Sequence, residues 1–179
     1  MNAYVTAREL ELIEHPGKLV ELVRGHLVVG EPPGTRHGAI SANLGTELAI
    51  YARQHNAGLV FAQDTGFKIA ADPDTVRAPD VAFVSTGRTG AIPARGYAEL
   101  TPDLIAEVVS PADQPAAVLA KVADWLAARA RLVWVIDPGR REARVYRPDG
   151  SLSVLGSGDA LDGESILPGF SCLLSRILI

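Results

Sequence analysis

Three side chains have the types and settings that could do chemistry together. Asp80 leads the apolar run Val81-Ala82-Phe83-Val84, and Glu107 interrupts Leu104-Ile105-Ala106 and Val108-Val109. A carboxylate in a half-buried strand is costly to desolvate unless a cation or hydrogen bonds compensate it. Two such strands side by side would create a local negative site able to hold Mg²⁺, or Mn²⁺ in its place, which takes oxygen ligands and keeps several waters. The other reading is that each carboxylate pairs with an arginine or lies on a solvated strand face. Lys121 shares a helical stripe with Val118 and Trp125, three before and four after it, and so borders a buried face. A right-handed return over the sheet could bring its ammonium near both carboxylates. There it could orient a nucleophilic water and offset charge at a phosphate transition state. Alternatively its stem covers apolar surface while its head stays in water.

The elements that must position these groups are legible in outline. Thr6-Ala7-Arg8-Glu9 has the pattern of a capping box and predicts a short helix ending before Pro16-Gly17. Leu19 to Val23 and His26 to Gly30 read as paired strands around Arg24-Gly25, followed by a Pro-Pro-Gly loop. Ile40, Leu44, Leu48 and Tyr51 recur at three- and four-residue intervals, which predicts a long amphipathic helix from His37 to about Gln54. Strands are expected at Leu59 to Phe61 and Gly66 to Ala70, with a turn at Asp72-Pro73-Asp74. A further strand begins at Pro79-Asp80, and after a Gly-rich loop Leu104 to Ser110 forms another, ended by Pro111. Pro115 to Arg129 reads as helix, then Leu132 to Ile136, Ala143 to Tyr146 and Leu152 to Leu155 as strands. The tail, Ile166 to Ile179, is expected to cap the sheet with a short helix. The order implies one α/β domain over residues 1–179, with a mixed sheet carrying a helix on each side and additional antiparallel hairpins.

Composition narrows the field. The chain has 179 residues, 47% of them hydrophobic and 21% charged, which fits one well-buried core and argues against disorder. One cysteine, Cys172, excludes an internal disulfide framework, and its apolar surroundings suggest a buried thiol rather than a nucleophile. Four histidines and one cysteine show no zinc-ligand spacing, and no Gly-rich phosphate loop follows a strand. The first residues lack a secretory pattern, and no apolar run approaches the roughly 18 residues of a membrane span. A soluble, cytoplasmic protein is therefore expected. The net charge of −4 runs against broad nucleic-acid binding, which usually relies on a basic surface.

An ordered series of short motifs adds to this reading. Glu21-Leu22-Val23-Arg24-Gly25, Pro79-Asp80-Val81-Ala82, Pro102-Asp103-Leu104 leading to Glu107-Val108-Val109-Ser110-Pro111, Lys121, Val133-Trp134-Val135-Ile136-Asp137-Pro138 and Leu167-Pro168-Gly169-Phe170 occur in this order. The series resembles the Uma-type restriction endonucleases of bacteria, a branch of the PD-(D/E)xK superfamily, over nearly the whole chain. That resemblance implies a restriction-endonuclease-like sheet, Asp80 and Glu107 as metal ligands, and catalysis by Asp80, Glu107, Lys121 and Glu21. It also exposes a departure from the superfamily pattern: the lysine expected two residues after the glutamate is Val109 here, which transfers the role to Lys121 on the next helix. Glu21 matches an early family glutamate and could add a metal–water contact or a second-site ligand; the other reading pairs it with Arg24 or another base.

Other positions carry weaker expectations. His37 could contact phosphate or shuttle a proton, or be an ordinary helix-start residue. Gln63 and Asp64 could line the same cleft. Trp134 reads as core and Asp137-Pro138 as a turn, although both match family positions. Arg140, Arg141, Arg144 and Arg147 give the late hairpin a basic edge, which protects a sheet edge or contacts phosphate. Together these readings imply a Mg²⁺-dependent endonuclease acting on DNA, with a homodimer needed if both strands are cut at one event. The rivals are a nuclease fold retained only for binding nucleic acid or protein, and a hydrolase of another phosphodiester such as RNA.

Overall fold

A computed structural model describes residues 4–14 and 16–179. It is a mixed α/β structure built on three sheets. The first helix, α1 (Ala7–Leu10), is closed by the expected capping box: Thr6 Oγ1 accepts from the Glu9 N–H, and Glu9 Oε2 accepts from the Thr6 N–H. It is shorter than the sequence suggested, since only Ala7 and Leu10 find a buried face. Strands β1 (Leu19–Val23) and β2 (His26–Gly30) pair in the expected antiparallel register, Leu22 against Leu27 and Val23 against His26. The two-residue turn between them holds Arg24 at φ 50° and Gly25 at φ 77°. This left-handed pair matches the twist of a tight hairpin, and Gly25 also lies against Tyr4, where a Cβ would sit 2.5 Å from the tyrosine side chain.

The long helix α2 (Thr35–His55) starts two residues earlier than its apolar stripe suggested, so His37 lies within its first turn. Strands β3 (Gly58–Ala62), β4 (Phe67–Ala70), β5 (Thr75–Arg77) and β6 (Val81–Ser85) follow. The sequence predicted one strand beginning at Pro79-Asp80 and did not foresee β5 before it. The structure starts β6 later, at Val81: Ala78 and Pro79 link it to β5 outside either strand, and Asp80 sits in a bend. Proline cannot donate to a ladder, which breaks the run there. Part of the Gly-rich loop, Thr86–Ala91, is wound into 3-10 helix.

Then come β7 (Leu104–Val108), α3 (Pro115–Ala127), β8 (Leu132–Asp137), β9 (Glu142–Tyr146) and β10 (Leu152–Gly156). The tail adds β11 (Ala160–Asp162), β12 (Ser171–Leu173) and the expected short helix α4 (Leu174–Ile177); the small β11–β12 sheet was not foreseen. The central sheet has the order β10-β9-β8-β7-β6-β3, antiparallel except for β7 and β8, which α3 connects. A second, antiparallel sheet has the order β2-β1-β5-β4.

Strand alternation sets the two faces of the central sheet. Leu104, Ala106 and Val108 of β7 pack with Ile40, Leu44 and Leu48 of α2 and with the C-terminal tail. Ile105, on the other face, packs with Val122 and Trp125 of α3. Glu107 has the parity of Ile105 and therefore points toward α3. Trp134 is fully buried in the α2-side core and stacks near Phe170, as expected of a core aromatic. Cys172 is buried in the same core.

Candidate active site

The register of β6 against β7 places Val81 opposite Ala106, so the next pair outward brings Asp80 beside Glu107. Asp80 Oδ2 accepts a 2.6 Å hydrogen bond from the Val108 N–H, which fixes the bend to the neighbouring strand. His37 Nε2 lies 3.1 Å from the same oxygen. Asp80 Oδ1 accepts no hydrogen bond among the described residues. The carboxylate borders a cleft of about 820 Å³, lined also by Glu21, His37, Glu107 and Lys121.

Glu107 is held on both oxygens. Lys121 Nζ donates to Oε2 at 2.9 Å, and the Trp125 indole N–H donates to Oε1 at 2.8 Å. Both donors come from α3, one turn apart, so the helix that returns from β7 clasps the carboxylate of its own preceding strand. Lys121 further donates to the Ala78 carbonyl at 2.9 Å and lies 3.3 Å from Glu21 Oε1. Three acceptors surround an ammonium with three protons.

Glu21 arrives from β1. Its Oε1 accepts from the Ala78 N–H at 2.8 Å, and its Oε2 accepts from Arg77 at 2.7 Å. The expected partner Arg24 is instead directed toward Asp124, 3.7 Å away. Arg77, only 9% exposed, also donates twice to Asp124 Oδ2 on α3. Arg77 thus ties β1, β5 and α3 together behind the site.

Electrostatics follow from this crowding. Burial raises the Glu107 carboxyl; Lys121 opposes that, while the charges of Asp80 and Glu21 add to it, leaving the group at about 7. Burial alone would lower the Lys121 ammonium, but Glu107, Glu21 and Asp80 together raise it above its ordinary value. Burial would raise Glu21, yet Lys121, Arg77 and the Ala78 N–H bring it below the usual carboxylate range. For His37 burial acts downward, and its bond to Asp80, with the charges of Asp80 and Asp113, wins and raises it.

Among the described residues no group of three or more His, Cys, Asp and Glu side chains stands in ligating geometry. Two carboxylates nevertheless suit Mg²⁺, which is commonly held by one or two of them together with water and substrate phosphate. The donors are hard oxygens, Asp80 retains a free Oδ1, and Glu107 carries more surrounding negative charge than Lys121 alone neutralises. The residues present therefore fit a small divalent cation.

The remaining expectations sort by position. Gln63 and Asp64 line the cleft. Asp137 closes a turn by accepting from the Arg140 N–H. Arg140 and Arg144 pair with Glu142, and Arg147 with Glu164, so the late basic edge is largely ion-paired. Burial raises the Cys172 thiol, as suits an inert side chain. Arg77, Trp125 and Asp124 were missed; the signal available was an arginine in the strand before Pro79-Asp80 and an Asp three residues after Lys121.

The second Pro-Asp of the sequence has a different fate. Asp103 precedes β7 as Asp80 precedes β6, but the strands are antiparallel, so it lies at the opposite end of the pair. It is 2% exposed and accepts from the Ser85 N–H and Arg88.

Comparison with known proteins agrees with this architecture. The Uma2 family model, described as "Putative restriction endonuclease", matches residues 6–175. Among solved structures the fold is similar to that of a putative nuclease belonging to DUF820 from Anabaena variabilis. That likeness has a TM-score of 0.81 and 20% sequence identity, and covers 97% of each chain. No curated protein matches the chain. No helix among the described residues is long and apolar enough to cross a membrane. The family match points to a nuclease, and the structural likeness shows the shared fold. With nearly its whole length matched, the chain belongs to the Uma2 family of restriction-endonuclease-like proteins.

Proposed function

We propose that this protein is a metal-dependent endonuclease that hydrolyses DNA phosphodiester bonds, with Asp80 and Glu107 as the metal ligands. The observation that carries this reading is the meeting of Asp80, Glu107 and Lys121, from three elements, in one cleft. A divalent cation held there would supply Lewis-acid polarisation of the phosphate and a lowered pKa for water.

The chain's own groups do the rest. The Val108 N–H holds Asp80 Oδ2, leaving Oδ1 without a hydrogen bond among the described residues and available to a ligand. Lys121 stands beside Glu107 and lines the cleft in which a phosphate would carry negative charge. Lys121 Nζ, held beside Glu107 Oε2, would orient an attacking water or offset charge on a phosphate oxygen. Glu21, both of whose oxygens are engaged, acts by holding Lys121 in place. Attack forms one P–O bond and breaks another, leaving a phosphate monoester and a hydroxyl end. Cutting both strands in one event needs two sites and hence a homodimer.

RNA carries the same phosphodiester, so the substrate is tested directly. Linear and single-stranded DNA and an RNA of matched sequence are incubated with Mg²⁺ or Mn²⁺ and wild-type or Lys121→Ala protein. DNA cleavage lost in the variant, with RNA intact, supports the proposal. RNA cleavage alone shifts the substrate class, and equal cutting by both proteins places the activity outside this cleft.

A further inference from the structure

We propose that His37 is a positioning residue for the metal site: by donating from Nε2 to Asp80 Oδ2 it turns Oδ1 into the cleft as the ligand oxygen. The inference rests on the metal reading of Asp80 above. His37 is 8% exposed and belongs to the first turn of α2, whose apolar stripe is anchored on the central sheet by Ile40, Leu44 and Leu48. It therefore approaches Asp80 from a rigid element on the face opposite α3. The ring meets the oxygen that already accepts from the Val108 N–H, so two donors converge on Oδ2 while Oδ1 accepts no hydrogen bond among the described residues.

The chemistry fixes the direction of the bond. An ionised Asp80 can only accept, so the proton lies on Nε2; a lone pair there would face a carboxylate oxygen. His37 Nδ1 is buried and has no hydrogen-bond partner among the described residues. The ring's hydrogen bond among the described residues is thus the one that Nε2 makes with Asp80. Partners of this kind orient ligating carboxylates, and losing one typically weakens metal binding about 10- to 100-fold.

The test is Mn²⁺ titration, by calorimetry or electron paramagnetic resonance, of wild type, His37→Ala, His37→Gln and Asp80→Ala, each also melted without metal. Glutamine places an amide N–H the same number of bonds from Cβ as Nε2. The expected result is Mn²⁺ affinity about 10- to 100-fold weaker in His37→Ala, largely recovered in His37→Gln. His37→Ala binding Mn²⁺ like wild type would overturn the proposal, as would a His37→Gln as weak as His37→Ala. A purely structural histidine would lower the melting temperature and leave the affinity of the folded protein unchanged. If wild type binds no Mn²⁺, or Asp80→Ala binds it equally well, the metal reading itself fails and takes this inference with it.

Discussion

At the scale of single residues, the site is a problem in charge compensation. Glu21, Asp80, Glu107 and Asp124 are gathered around Lys121 and Arg77, largely away from water. Breaking a buried pair is strongly destabilising because it strands the partner's charge. Arg77→Met is therefore expected to lower stability by about 3–5 kcal/mol in denaturant melts, since it takes from Glu21 and Asp124 their shared buried partner and leaves Asp124 only the exposed Arg24; a change within error would show that the network is not structural. Lys121→Met removes the ammonium proposed to face the phosphate and is expected to cut turnover about 10²- to 10³-fold, read by single-turnover DNA cleavage. Asp80, Glu107 and Lys121 were legible because a charge inside an apolar run or stripe is an anomaly that demands a partner. Arg77 and Asp124 were not, because each looks like an ordinary charged residue until β1, β5 and α3 are assembled around them. His37 was legible as a residue and not as a contact, since its partner lies 43 positions away.

At the scale of elements, alternation along β7 makes the site. Even-numbered residues feed the α2-side core, and the odd-numbered Glu107 meets α3, so one strand both packs the core and supplies a carboxylate to the cleft. The α2 stripe secures one wall, and Leu44→Ala, at a fully buried position, is expected to cost about 2–5 kcal/mol in stability. At the far end of β6 and β7, Asp103 closes the strand pair. Burial acts to raise its carboxyl, but the Ser85 N–H and Arg88 prevail and hold it below its ordinary value. A depressed folded value means that its stabilisation is full above the unfolded pKa, near 3.8, and is lost as pH falls through the lower folded value. Asp103→Asn is therefore expected to be less stable than wild type at pH 7, with the difference shrinking in melts run progressively below pH 4. A difference that grows on acidification would contradict this. The long periodic helices and the β6, β7 and β8 runs were readable, whereas β5, β11 and β12 have three residues each and no pattern to distinguish them from loop.

At the scale of the whole molecule, the antiparallel sheet β2-β1-β5-β4 serves the central sheet by delivering Glu21 and Arg77 to it and by walling the cleft. The mixed sheet with a helix on each face was legible from element order. The way the second sheet docks was not, because it depends on long-range contacts, the Arg77 ion pairs and the packing of Phe67 with Ala82 and Val84, rather than on local pattern. The net charge of −4 makes better sense once the acidic groups are located, since several line the cleft where a cation would meet a phosphate. Cleavage of DNA in this cleft is the proposed function. Its most direct test is incubation of supercoiled plasmid with wild type and Asp80→Ala, in Mg²⁺ and in excess chelator, with circular dichroism showing that both proteins are folded. Nicked or linear product from wild type in Mg²⁺, absent from the chelated reaction and from Asp80→Ala, is the expected result. Equal cutting by Asp80→Ala, or undiminished cutting in chelator, would contradict the account.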